Sequence, residues 1–234
     1  MISPSQTIGV TGGIGSGKSY VCSILAQLGA PIFYADDAAK HIMRTHSAVQ
    51  EELRALLGAE VYDAEGQLVK SVVAAYLCQG EAHSLRVNAI VHPRVEEAWR
   101  EFVAQHADAP IIYMECALLF EVGWQRLVDK SLLVTCPEEE RIARIMVRDN
   151  ISRATALQWI ALQMPESEKQ QLADIAIVND GKAIVTLTEF TVNSNDIDTV
   201  QRQYQLDIER AVRDDAGYKA GYVLRERNVK NHWY

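Results

Sequence analysis

Cysteine is scarce in this chain, and an excess of basic residues is missing altogether. The four cysteines, Cys22, Cys78, Cys116 and Cys136, lie far apart with no C-x-x-C spacing. That spacing excludes a sequence-local zinc site and a dense disulfide framework, and it fits a reducing cytoplasm. Lys and Arg number 23 against 31 Asp and Glu, a formal charge of -8. A chain-wide affinity for nucleic acid rests on clustered cations and is therefore not expected. No apolar run reaches the roughly 18 residues of a membrane-spanning helix, and no basic-then-apolar leader is visible, so neither membrane nor export is expected. Internal repeats and low-complexity stretches are lacking too.

What the chain does have is apolar residue in quantity, 48% of the total, enough for a sizeable core. Residues 7–11 (TIGVT) read as a buried strand that stops at a glycine cluster. Val21, Ile24, Leu25 and Leu28 recur at helical spacing until Gly29, and residues 31–35 (PIFYA) read as a second strand. A strand, loop, helix, strand unit implies a parallel sheet. The middle, residues 38–105, is patterned as helices. Short apolar runs at 111–116, 131–135 and 175–178 supply the remaining strands, with helices expected over 138–150 and 153–163. The fold class is thus α/β, a three-layer sandwich on a parallel sheet with a helical insertion.

One motif concentrates the chemistry. Residues 12–19 (GGIGSGKS) satisfy G-x-x-x-x-G-K-[ST] between a strand and a helix, where that pattern builds a phosphate loop. Gly13, Gly15, Ser16 and Gly17 let backbone N–H groups converge on an anion, helped by the positive end of the next helix. Lys18 then serves the β- and γ-phosphates of ATP, and the Ser19 hydroxyl is placed for Mg²⁺. The D-x-x-G at Asp63 to Gly66 follows no core strand and reads as a turn.

The loop alone does not separate kinase, switch and motor. A kinase also needs a carboxylate near its acceptor and cations for the transferred phosphoryl group. Asp36, in YADD after the second strand, is the carboxylate candidate; a helix cap by Asp36 or Asp37 is the equal alternative. Arg144 and Arg148 lie one turn apart, and residue type alone favours a solvated face with Arg144 pairing Glu140.

In order along the chain, TGGIGSGKS, LGAPIFYADDAAK, VNAIVHP (87–93), ALLFE (117–121), PEEERIARIMVRDNIS (137–152), Gln163 and LADIAIVNDG (172–181) resemble the dephospho-CoA kinase family of P-loop proteins. The resemblance implies an ATP-dependent phosphorylation of the ribose 3'-hydroxyl of dephospho-CoA. The alternatives are another small-molecule kinase on this scaffold or a non-catalytic nucleotide-binding protein. It also implies a nucleotide-binding core (1–37 and 107–192), a helical CoA-gripping domain (38–106) and a helical lid (about 138–170). Residues 193–234 remain a C-terminal extension without assigned role.

Carried over by position, Lys18, Asp36 and Arg144 are catalytic, Tyr20 joins the nucleotide-binding set, and His92 falls in the acceptor-side block, with helix capping before Pro93 as its alternative. Tyr34, Lys40, Tyr20 and Ala117 depart from the family's usual aspartate, arginine, threonine and proline. Lys169 stands where phosphate contact could replace the arginine common after Gln163. Near the end, AIVTLTEFTV alternates like an edge strand and residues 196–213 read as a helix; a docking element that extends the sheet or forms a dimer contact and a disordered end beyond Gly217 are the alternatives for this stretch.

Overall fold

The computed structural model describes residues 6–179 and the backbone of the pair 187–188. In chain order the elements are β1 (Gln6–Thr11), α1 (Lys18–Gln27), β2 (Ile32–Tyr34), α2 (Ala35–Thr45), α3 (Ser47–Leu57), α4 (Lys70–Leu77), α5 (Glu81–Gln105), β3 (Ile111–Glu115), β4 (Lys130–Thr135), α6 (Glu138–Asp149), α7 (Arg153–Ala161), α8 (Glu166–Leu172), β5 (Ile175–Val178) and β6 (Leu187–Thr188). Packing divides the chain into two units, one holding residues up to Ile32 and from Asp108 onward, the other Phe33–Ala107.

The first unit is built on a sheet of order β2-β3-β1-β4-β5-β6. β1 pairs in parallel with β3 and β4, and β4 with β5. Among the described strands, β6 runs antiparallel, beside β5. These strands are apolar almost without interruption because both faces of such a sheet are covered. Alternation still sorts them: Ile8, Val10, Leu132, Val134, Ile175 and Ile177 share one face and pack against Val21 and Cys22 of α1. The central position of β1 delivers the glycine loop to the carboxyl edge of the sheet, the edge where parallel sheets place ligands.

At the opposite edge a two-part device recurs. Asp129, one residue before β4, accepts from Thr7 N–H (2.7 Å) and Thr7 Oγ1 (2.8 Å), while its own N–H donates to Thr7 Oγ1 (2.9 Å). Asp174, one residue before β5, repeats this on Ser131, accepting from its N–H (2.8 Å) and hydroxyl (2.7 Å) and donating to its Oγ (3.0 Å). Each bracket fixes the register of one parallel neighbour on the next.

The second unit is helical, as the middle of the sequence leads one to expect. Val87, Val91, Val95 and Trp99 form one buried stripe along α5. Phe33 lies 5.5 Å from both Trp99 and Phe102, ring centre to ring centre. Tyr62 Oη donates to Met43 O (2.6 Å). The Asp63–Gly66 segment is a turn, closed by Gly66 N–H on Asp63 O (3.0 Å) and by Asp63 Oδ1 accepting from Gln67 N–H (2.7 Å).

Two expectations are corrected. His92 caps nothing, because α5 runs straight through His92 and Pro93; Pro93 sits on the exposed side, away from the buried stripe. Neither Asp36 nor Asp37 caps α2, whose N-cap is Tyr34 with no side-chain hydrogen bond; both aspartates lie inside the first turn, where their charge favours the helix dipole. Of the alternating stretch 183–192 only the backbone pair Leu187–Thr188 is described. The expected helix over 196–213 and the end beyond Gly217 lie outside the described residues.

The Asp174 bracket gives a stability prediction. Burial raises its pKa, but the Ser131 N–H and hydroxyl and the Lys130 charge outweigh burial and hold the carboxyl below its usual range. Such a group stabilises the fold above its unfolded pKa and loses that contribution as pH falls through the folded value. Its side chain is 42% exposed, which screens the effect. Asp174→Ala should therefore lower stability by about 1 kcal/mol at pH 7. The gap from wild type should shrink as urea melts move from pH 7 toward pH 3; a gap independent of pH would exclude the carboxylate as its source.

Candidate active site

After β1 the chain turns through Gly12–Gly17 into α1. Gly17, the N-cap of α1, has φ 92°, a left-handed conformation natural to glycine. Ser16 N–H closes the loop on Gly13 O (3.0 Å). Tyr20 N–H donates to Gly17 O (3.0 Å) as α1 begins, and its side chain packs against the sheet core. Ser19 is exposed on the same first turn.

Lys18 does not point freely into solvent. It forms an ion pair with Glu115, and the two side chains are only 11% and 8% exposed. The register that sets Val10 beside Glu115 brings this carboxylate to the mouth of the loop. Sequence reasoning passed over Glu115. A glutamate within IIYMEC, a run otherwise destined for burial, was the available signal, since a buried carboxylate requires a partner. Behind Lys18, burial pushes the Cys22 thiol up to about 12 against the opposing Lys18 charge.

The solvated-face reading of Arg144 fails. Its Nη1 donates to Gly15 O (3.3 Å) and Ser16 O (3.4 Å), and its Nη2 to Asn179 O (3.2 Å). Arg148 does lie outside, paired with adjacent Asp149 (2.7 Å). Three further residues that the motif did not reveal converge on the loop. Arg141 is buried and its Nε donates to Ile14 O (2.9 Å). Gln163 Oε1 accepts from Ile14 N–H (2.7 Å). Asn179 Nδ2 donates to Ser16 O (2.8 Å). The i, i+3 spacing of Arg141 and Arg144 on an amphipathic helix was the readable clue for the pair.

Lys169 is likewise corrected. It is fully buried and lies 3.0 Å from Glu121 Oε1, an ion pair without a well-aligned hydrogen bond. Glu121 Oε1 also accepts from Met164 N–H (3.1 Å). Lys169 therefore ties α8 to the segment after β3, and cannot reach a solvent-borne phosphate from there. In the second unit, Asp36 is exposed in the first turn of α2. His92 is half-buried in α5, where burial pushes its pKa down and Glu96 opposes the shift. Among the described residues no group of three or more His, Cys, Asp or Glu assembles a metal cage.

The chain is similar to known proteins. A family model described as dephospho-CoA kinase matches residues 6–184. A dephospho-CoA kinase of Bacteroides fragilis is 40% identical over 175 residues, covering 75% of this chain and 85% of that protein. One of Salinibacter ruber is 36% identical over 177 residues, covering 75% and 89%. A crystal structure from Thermus thermophilus superposes with TM-score 0.67 at 30% identity, over 87% of this chain and 97% of that one. The dephospho-CoA kinase of Campylobacter jejuni, 20% identical over 90% and 97%, superposes with TM-score 0.57, a likeness of fold.

The Lys169–Glu121 pair supports a double-mutant test. Lys169→Met leaves the Glu121 carboxylate, its side chain 20% exposed, without its cation and should cost about 1–2 kcal/mol in urea unfolding. Adding Glu121→Gln removes the stranded charge, and the double variant should recover most of that loss; two additive losses would show that the pair is not coupled.

Proposed function

Because the chain belongs to the dephospho-CoA kinase family, we infer how its own residues carry out the family's reaction. The enzyme phosphorylates the ribose 3'-hydroxyl of dephospho-CoA with ATP, giving CoA and ADP, the last step of CoA biosynthesis. The observation that carries our assignment of the site is the buried Lys18 at the mouth of a glycine loop, held by a carboxylate on the neighbouring strand.

The nucleotide-binding set is Gly13, Gly15, Ser16, Gly17, Lys18, Ser19 and Tyr20. ATP phosphates offer Lys18 more negative charge than Glu115 does, so Lys18 exchanges the carboxylate for the β- and γ-phosphates. Arg144, which donates to the backbone of the loop, serves the transferred group with its two-pronged guanidinium. Asp36 holds the acceptor hydroxyl and takes its proton as the oxygen forms its bond to the γ-phosphorus and the bond to the β-phosphate oxygen breaks. His92, whose charged form burial disfavours while Glu96 opposes the shift, is an acceptor-side candidate on the helical unit.

The donor set fits Mg²⁺. This ion keeps several waters and takes one or two protein oxygens besides phosphates, and Ser19 Oγ with the Glu115 carboxylate would supply those two. When bound, it neutralises phosphate charge. All four cysteines are free thiols, and no described helix is long and apolar enough to cross a membrane; both observations support a cytoplasmic enzyme.

ADP release measured across dephospho-CoA, nucleoside monophosphates and shikimate tests the acceptor, with dephospho-CoA expected to be preferred. Lys18→Ala should abolish transfer. Because it strands the buried Glu115 carboxylate, it should also lower the thermal midpoint, and adding Glu115→Gln should recover most of that midpoint without restoring transfer. Asp36→Asn should lower kcat by about a hundredfold or more with ATP affinity unchanged, as expected for a general base. An Asp36→Asn enzyme with normal kcat and reduced thermal stability would reduce Asp36 to a helix residue.

A further inference from the structure

A phosphate loop presents N–H groups to its ligand and must therefore turn carbonyls away from it, and each carbonyl turned into protein needs a donor. In this chain those donors are identifiable. Gly13 O receives Ser16 N–H (3.0 Å). Gly15 O receives Arg144 Nη1 (3.3 Å), and Ser16 O receives Asn179 Nδ2 (2.8 Å). Ile14 O receives Arg141 Nε (2.9 Å).

Ile14 is held more completely than its neighbours. Its N–H goes to Gln163 Oε1 (2.7 Å), and its side chain packs on Ile142, Ile145 and Ala156. Arg141 is in turn locked, its Nη1 on Glu166 Oε2 (3.2 Å), with side chains 5% and 23% exposed. The guanidinium fills the space under Gly13 so closely that an added Cβ there would stand 2.7 Å from Arg141 Cζ.

We propose that Arg141, oriented by Glu166, is a positioning residue for the nucleotide: by holding the Ile14 carbonyl outward it aims the Gly15 N–H at the phosphates. The Ile14 carbonyl and the Gly15 N–H belong to one rigid trans peptide and point in opposite directions. Releasing the carbonyl lets that plane rotate and withdraws one donor from the anion site. The adjacent cation also polarises the peptide toward its N–H end, in surroundings where water screens little. Arg141 touches neither substrate; it works through the backbone of the loop. The proposal rests on the placing of ATP phosphates on this loop.

Calorimetric titration of the full-length enzyme with ATP and Mg²⁺, and separately with dephospho-CoA, tests it. Arg141→Gln should weaken ATP binding by about 10- to 100-fold, the range for outer-shell partners of a bound ion. KM for ATP should rise with it, and dephospho-CoA affinity should stay within about twofold. Arg141→Lys should recover only part of the loss, lacking the forked geometry that spans Ile14 O and Glu166. Should Arg141→Gln fail to fold, Glu166→Gln, which frees the arginine and keeps it, should move ATP affinity in the same direction by less. Wild-type ATP affinity in both Arg141→Gln and Glu166→Gln, or equal losses for both substrates, overturns the proposal while leaving the ATP site in place. Retention of ATP binding by Lys18→Ala overturns the ATP site and the proposal together.

Discussion

The constraint on which the rest of this structure depends is geometric: an anion site made from backbone donors has an equal number of acceptors facing the other way. In water those acceptors would cost nothing, but here they face the protein and must be met. The chain meets them with the guanidinium groups of α6 and the amide of Asn179. That requirement explains why α6 lies across the back of the loop, why Asn179 directly follows β5, and why a helix that reads as surface on periodicity alone has Arg141 buried in it. A buried arginine left without partners would be strongly destabilising; one satisfied by a backbone carbonyl and a carboxylate contributes orientation in addition.

The mouth of the loop obeys the complementary rule. Lys18 and Glu115 are both largely removed from water, and neither could remain charged there without the other. Their pairing gives the loop a defined cation position.

Much of the fold was legible in the sequence because strands covered on both faces announce themselves as short apolar runs, and GGIGSGKS fixed both the end of β1 and the start of α1. The positions of Lys18 and Ser19 followed from that motif. The partners of Lys18 and of the loop carbonyls did not, because they arrive from residues 115, 141, 163 and 179. Only the order of strands in space brings those residues together. Arg144 shows the limit most clearly: an i, i+4 glutamate is a local fact, whereas Gly15 O and Asn179 O are tertiary ones, and the tertiary partners win because the helix face bearing Arg144 is covered. The capping alternative for His92 failed by a different route: proline usually marks a helix start, but here the buried stripe of α5 outweighs the lost hydrogen bond and the steric cost of Pro93 and carries the helix past it.

The paired brackets of Asp129 on Thr7 and Asp174 on Ser131 lie at the amino edge of the sheet, the far side from the glycine loop. Strand alignment is thereby secured at the end away from the glycine loop. The loops of the carboxyl edge can then lengthen, shorten or exchange residues over evolutionary time without unzipping the strands beneath them. Rigidity and adaptability are kept at opposite ends of the same strands.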